Sequence, residues 1–281
     1  MEFETFDVVL VIAVGIMIVG GIILAMYLKR RHRQKLMQEQ LPPEYLDILE
    51  KHVALYSLLP EKLKKELHGR IAIFLDEKDF EGCGGLQIND RVKVTVAAFA
   101  CMLLLNKNFD YYPSLNSILV YPDAYVASNS KTSLGGVMVV QKESARLGES
   151  WTHGNLVLSW QQIENEAGDI HRHQNVILHE FAHQLDQLDG CADGIPPLPN
   201  KGIYPEWRDI MTQEYNHLCD EAEHAVRDVI DWYGATNPAE FFAVTTESFF
   251  CNPLALQKAH SKLYELFAEF YQLDPALWRK R

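Results

Sequence analysis

NVILHEFAHQLDQLDG, Asn175 to Gly190, is the stretch on which the fold of this 281-residue chain turns. Val176, Ile177, Phe181, Ala182 and Leu185 flank His179, Glu180 and His183 with apolar positions, as expected of a largely buried helix whose polar residues are confined to a site. On a helix, residues four apart stand one above the other, so both imidazoles project from one face and can reach one metal ion. Glu180 lies about 100 degrees round from His179, too far to join them but near enough to contact a water on the metal. A catalytic zinc keeps one position open for such a water, lowers its pKa to about 7, and leaves a neighbouring carboxylate to take the proton. The plainer reading is three polar residues at helical spacing by coincidence; a solvated cluster of that kind would have more polar flanks than these.

A third ligand must come from outside the motif. The metzincin pattern would continue with Gly at 186 and His at 189, where this chain has Asp186 and Asp189, so Asp189 as a substitute ligand is one alternative. The other is a glutamate from a later helix, giving a set of two His and one Glu. WYGATNPAEFFAVTTESFF, residues 232–250, offers it. Gly234 ends one element, Asn237 is a good N-cap and Pro238 suits a first helical turn, which puts Glu240 at the third helical position. A glutamate there could simply close a capping box. Yet Glu247 follows seven residues on, near the same angular position, and both acids share a helix rich in Phe241, Phe242, Ala243, Val244, Phe249 and Phe250. Two aligned acids on an apolar helix call for a cation, one as ligand and the other orienting a histidine.

Upstream of the motif, SILVYP, VMVV and NLVLSW are short, β-branched and bounded by Pro, Gly, Asn or Ser, as strands are. NLVLSW, Asn155 to Trp160, could pair with an extended substrate backbone or serve as an ordinary core strand. Earlier still, PEYLDILEKHVALYSLL and the run from Glu61 to Leu75 carry helical periodicity. Asp90 is expected to cap a helix through VTVAAFACMLLLN, which is apolar enough on all sides to lie at the centre of a core. GCGG, ending at Gly85, lacks the GK[ST] of a phosphate loop and reads as a turn. The layout is α+β, in one body without repeats or low-complexity tracts.

At the N-terminus, VVLVIAVGIMIVGGIILAMYL, Val8 to Leu28, carries no charge and is long enough to cross a bilayer of roughly 30 Å as a helix. Glu2, Glu4 and Asp7 precede it, and Lys29, Arg30, Arg31, Arg33 and Lys35 follow. That order is the reverse of a secretory leader, and by the positive-inside rule it puts everything after Leu28 in the cytoplasm. The expected division is a segment 1–28 with its span at 8–28, a basic juxtamembrane linker at 29–42 and a domain bearing the candidate zinc site at 43–281. Over the whole chain 26 Lys and Arg face 38 Asp and Glu, a net charge of −12; beyond residue 35 the balance is 21 against 35, or −14. A broad basic surface for a phosphate backbone is missing, which argues against nucleic acid as a partner. The five cysteines are scattered without a CxxC pair, so neither a disulfide framework nor a cysteine zinc site is expected.

The segments FEGCGGLQI, SILVYPDAYV, LGESWTHGNLVLSW, NVILHEFAHQLDQLDGCADGIPPL, YGATNPAEFFAVTTESFF and LYELFAEFYQLDP together resemble the Mlc titration factor A family of zinc metallopeptidases, from about Leu41 to Pro275. That family in turn resembles the catalytic domain of anthrax lethal factor, a gluzincin-like peptidase in which a tyrosine precedes the ligand glutamate by seven residues, a spacing that Tyr233 and Glu240 reproduce. The resemblance implies a mostly helical zincin-like domain with a small β-sheet beside the active-site helix. It implies one Zn2+ per chain on His179, His183 and Glu240, with Glu180 as general base and Tyr233 supporting the oxyanion. Glu247 and Asp186 become outer residues that orient the imidazoles. The implied activity is hydrolysis of a peptide or protein substrate; the alternative is a regulatory binding protein that sequesters a partner such as a transcriptional repressor, with proteolysis secondary. Members of that family are soluble and cytoplasmic, so the apolar N-terminal run departs from their pattern and makes the expected protein a single-pass protein of the inner membrane.

Overall fold

The uncharged run from Val8 has no polar side chain to interrupt a helix, and the basic residues after it are good helix formers. In the computed structural model, which describes residues 2–107, 110–123, 154–198 and 200–279, one helix, α1 (Glu2–Leu36), covers both. Its apolar side chains from Val9 to Leu28 are exposed and pack against nothing in the protein. The stretch expected as a linker, 29–42, is therefore helical as far as Leu36.

Pro42 and Pro60 stand just before the next helical runs, where a missing N–H is harmless. The helices are α2 (Pro43–His52), α3 (Ala54–Leu58) and α4 (Glu61–Glu77). After strand β1 (Asp79–Gly82) comes α5 (Asp90–Met102), whose residues from Val94 to Met102 are all buried, as expected of its all-round apolar sequence. Its cap is Asn89 rather than the expected Asp90. Asn89 has the extended backbone of a cap and its side chain accepts from the Val92 N–H. Asp90 is instead the first helical residue, where its charge meets the positive end of the helix dipole.

SILVY and NLVLS form β2 (Ser117–Tyr121) and β3 (Asn155–Ser159). The three strands make a parallel sheet in the order β1-β2-β3, with Asp79 opposite Ser117 and Ser117 opposite Asn155. Ile118, Val120, Leu156 and Leu158 turn one face inward by the two-residue alternation of strands. VMVV, the remaining expected strand, lies outside the described residues. β3 runs directly into α6 (Trp160–Ala167), followed by α7 (Val176–Asp186), α8 (Tyr204–Glu223), α9 (Pro238–Cys251), α10 (Pro253–Ala259), α11 (Ser261–Tyr271) and α12 (Pro275–Trp278).

Two aromatic groups anchor the core on either side of α7 and α9. Phe181 of α7 meets Phe74 and Tyr112 edge to face, with ring centroids 5.7 and 4.8 Å apart. Phe242 of α9 meets Trp207, Phe267 and Phe270 at 6.2, 5.7 and 5.9 Å. Such pairs add roughly 0.5–1.5 kcal/mol each beyond area burial, and here they hold the two polar-bearing helices face to face. All five cysteines are free thiols.

Candidate metal centre

The first turn of a helix has N–H groups without helical partners, and in α7 side chains satisfy them. Asn175 caps the helix by accepting from the Leu178 N–H at 3.0 Å. Glu166 Oε2, from α6, accepts from the Val176 N–H at 2.6 Å, and Glu247 Oε2, from α9, accepts from the Asn175 N–H at 2.6 Å. The start of α7 is thus tied to two other helices, and every residue from Ile177 to Asp186 is buried.

His179 and His183 stand one turn apart along that helix, ring planes nearly perpendicular, with their Nε2 atoms 3.2 Å apart. The partner arrives on α9, where Asn237 accepts from the Glu240 N–H at 3.0 Å and fixes Glu240 at the third helical position. Its carboxylate does not close a capping box. Oε2 lies 3.0 Å from His179 Nε2 and 3.3 Å from His183 Nε2, while Oε1 accepts from the Tyr233 hydroxyl at 3.1 Å. The loop after α7 presses against the same helix end: Asp186 Oδ2 accepts from the Gly194 N–H at 3.0 Å, and a Cβ on Gly194 would meet the Pro238 carbonyl oxygen at 2.4 Å.

Do these residues fit a metal? Ligand atoms bound tetrahedrally at about 2.0–2.1 Å stand about 3.3 Å from one another. The three separations here, 3.0, 3.2 and 3.3 Å, match that edge length. His179 Nδ1 faces Glu247 Oε1 at 2.8 Å, which assigns the ring proton to Nδ1 and turns the Nε2 lone pair inward. All three residues are at least 94% buried. Electron pairs brought together in that way repel unless a cation lies among them. With only protons available, burial works to lower the His179 pKa, but the hydrogen bonds to Glu240 and Glu247 outweigh it and raise it to about 10. Burial likewise acts to raise the Glu240 pKa, and the two histidines override it and hold the carboxyl well below its usual range. The group forms a candidate ligand set for a metal ion.

Glu180 is 6% exposed, and its Oε2 has no hydrogen-bond partner among the described residues. An orphaned carboxylate oxygen beside the ligand set fits a group that meets water or substrate there. Tyr233 sits in a short 3-10 turn, Trp232–Thr236, held by Asp231, which accepts from the Tyr233 N–H at 2.8 Å. Burial, then the Glu240 charge, pushes its phenol pKa up, so it stays a donor.

Of the remaining sequence candidates, Glu247 meets His179 as described, whereas the contact found for Asp186 is the Gly194 backbone. Burial raises the Asp186 carboxyl to about 7. Asp189, the rival ligand, is exposed and accepts from the Cys191 N–H in a surface turn, so Glu240 is the acid that joins the histidines. The sequence reading missed Asn175 and Glu166. Asn175 carried a usable signal, a capping residue directly before an apolar helical run; Glu166 carried none.

Residues 27–272 match the family model described as glucose-regulated metallo-peptidase M90. Among similar proteins, an uncharacterized protein of Synechocystis sp. is 41% identical over 248 residues, covering 87% of this chain and 89% of that protein. Mlc titration factor A of Serratia proteamaculans is 30% identical over 226 residues, covering 79% and 85%. Mlc titration factor A of Escherichia coli strain UTI89 is 29% identical over 229 residues, covering 79% and 84%.

Proposed function

Because the chain belongs to the glucose-regulated metallo-peptidase M90 family, we propose that it is a membrane-anchored, cytoplasmic zinc peptidase with one zinc ion on His179, His183 and Glu240. Bound zinc supplies a Lewis acid that lowers the pKa of a water to about 7 and polarises the scissile carbonyl. Glu180, with an unpartnered carboxylate oxygen, would serve as the general base toward an attacking water and pass the proton on to the leaving amine. Tyr233 donates to the oxyanion as charge develops there, its phenol held protonated. Glu247 keeps His179 in one tautomer and one orientation, and Asp186 holds the Gly194 loop against the start of α9. An extended substrate can add its backbone to β3, a terminal strand of the sheet among the described residues.

The observation that carries this reading is the mutual approach of three inward ligand atoms at tetrahedral edge distances. Its test is Glu180→Gln in the full chain. The variant should retain zinc and lose peptide cleavage by roughly 10²–10⁴-fold; a variant that cleaves at the wild-type rate would remove Glu180 from the reaction. The name of the titration-factor relatives favours a second reading, in which this chain sequesters a regulatory protein. A cellular phenotype that survives Glu180→Gln would select it.

The anchoring rests on the long exposed apolar face of α1 and the cytoplasmic side on the basic residues after it. In this reading residues 43–281 form the peptidase domain.

A further inference from the structure

The cytoplasmic end of α1 is built into the body of the protein. Lys29, Arg33 and Met37 follow one another at four-residue spacing and so share a face. That face runs antiparallel along α4. Arg33 Nε and Nη2 donate to both carboxylate oxygens of Glu77 at 2.6 and 2.7 Å, and Nη2 lies 2.6 Å from Asp110 Oδ1. The guanidinium also stacks over Tyr111, 4.9 Å from the ring centroid. One turn nearer the span, Lys29 lies 3.5 Å from Glu77, with His32 2.9 Å from Asp76 alongside. One turn further, Met37 passes so close to Gly69 that a Cβ there would meet its sulfur at 2.8 Å and its backbone at 2.9 Å. An isolated surface ion pair holds little, but a fork on two carboxylates, stacked on an aromatic ring and flanked by close packing, leaves the helix no freedom to swing.

The height of this joint above the bilayer follows from the helix. At 1.5 Å per residue, Arg33 stands roughly 7 Å beyond Leu28, within a headgroup layer of roughly 5–7 Å or at its outer edge. The body of the protein therefore begins where the lipid ends. Its net negative charge would be repelled by an anionic surface, but Asp76, Glu77 and Asp110 on this side are paired with α1, and Arg30 and Arg31 remain exposed toward the headgroups.

We propose that span and peptidase body form one rigid unit seated on the membrane surface, so that the site acts on segments of membrane-anchored proteins held at a fixed distance from the bilayer. This rests on the spanning and peptidase readings above, and the test separates them. The full chain, with Cys83, Cys191 and Cys219 changed to Ser, is placed in phosphatidylcholine–phosphatidylglycerol nanodiscs. Spin labels at Ala25→Cys and Lys258→Cys then report the distance between span and body by pulsed electron resonance. A narrow distribution is expected, broadened by a Gly-Ser insertion between Leu28 and Lys29, which leaves the Arg33 joint and the fold untouched. A wild-type distribution as broad as that of the insertion variant would overturn the rigid seating.

The same discs receive membrane-anchored peptides whose cleavable segment is set off by Gly-Ser spacers of graded length. Cleavage by the wild type should peak at one spacer and fall roughly tenfold on either side, while the insertion variant gives a flat profile and both cut a soluble peptide alike. A flat wild-type profile would overturn the substrate assignment. A narrow distance distribution without cleavage of any peptide would sink the peptidase reading and that assignment with it, and leave the seating in place.

Discussion

At the scale of single residues, Glu247 does two jobs with one carboxylate: Oε1 faces His179 Nδ1 and Oε2 holds the Asn175 N–H at the start of α7. Glu247→Gln keeps the shape and removes the charge, so zinc affinity should fall about 10–100-fold in competition with a chelator. Unchanged affinity would mean that His179 is oriented by something else. The convergence of His179, His183 and Glu240 was legible because helical spacing is close to deterministic: once Val176–Asp186 is a helix, His179 and His183 must share a face, and once Asn237 caps α9, Glu240 must sit at the third position. Glu166 and the Gly194 contact of Asp186 were not legible, because a hydrogen bond to a backbone group on another element leaves no periodic trace.

At the scale of elements, the site depends on how α7 and α9 are held together. Gly194 has φ of +78°, which other residues rarely adopt, and its α-carbon faces the first residue of α9. Gly194→Ala should push Pro238 away, lower thermal stability and weaken zinc binding together; wild-type melting and affinity would show that the junction yields without cost. A separate tie, away from α7 and α9, lies at the α10–α11 corner, where His260 bridges Glu214 of α8 at 2.7 Å and Asp228 at 2.9 Å. Asp228 and Glu214 raise its pKa from 6.5 to about 10. The folded state therefore binds that proton more tightly than the unfolded chain. The tie is fully present below pH 6.5 and is lost as pH rises toward 10. Urea denaturation should show stability falling across that window, and His260→Gln should flatten the slope; an equally steep slope in the variant would assign it to other groups. α2, α4 and α9 were evident from their periodicity and their Pro and Asn starts, whereas β1 was not, since Asp-Phe-Glu-Gly is four residues long with a single large apolar side chain and pairs with β2.

At the scale of the whole molecule, the basic residues after Leu28, which orient α1 in the proposed reading, also pack against the body of the protein. Arg33 is spent on Glu77 and Asp110, acids 44 and 77 positions away that no local pattern connects to it. For the same reason the expected linker is in part a continuation of the helix: composition shows that 29–36 is charged and helix-forming, and only the packed partner shows that it is held. The proposed chemistry depends on a divalent ion among His179, His183 and Glu240. Elemental analysis of the purified full chain, prepared without chelators beside His183→Ala and Glu180→Gln, tests this most directly. About one zinc per chain is expected in the wild type and in Glu180→Gln, with most of it lost from His183→Ala. No stoichiometric metal in the wild type, or an equal content in His183→Ala, would contradict it.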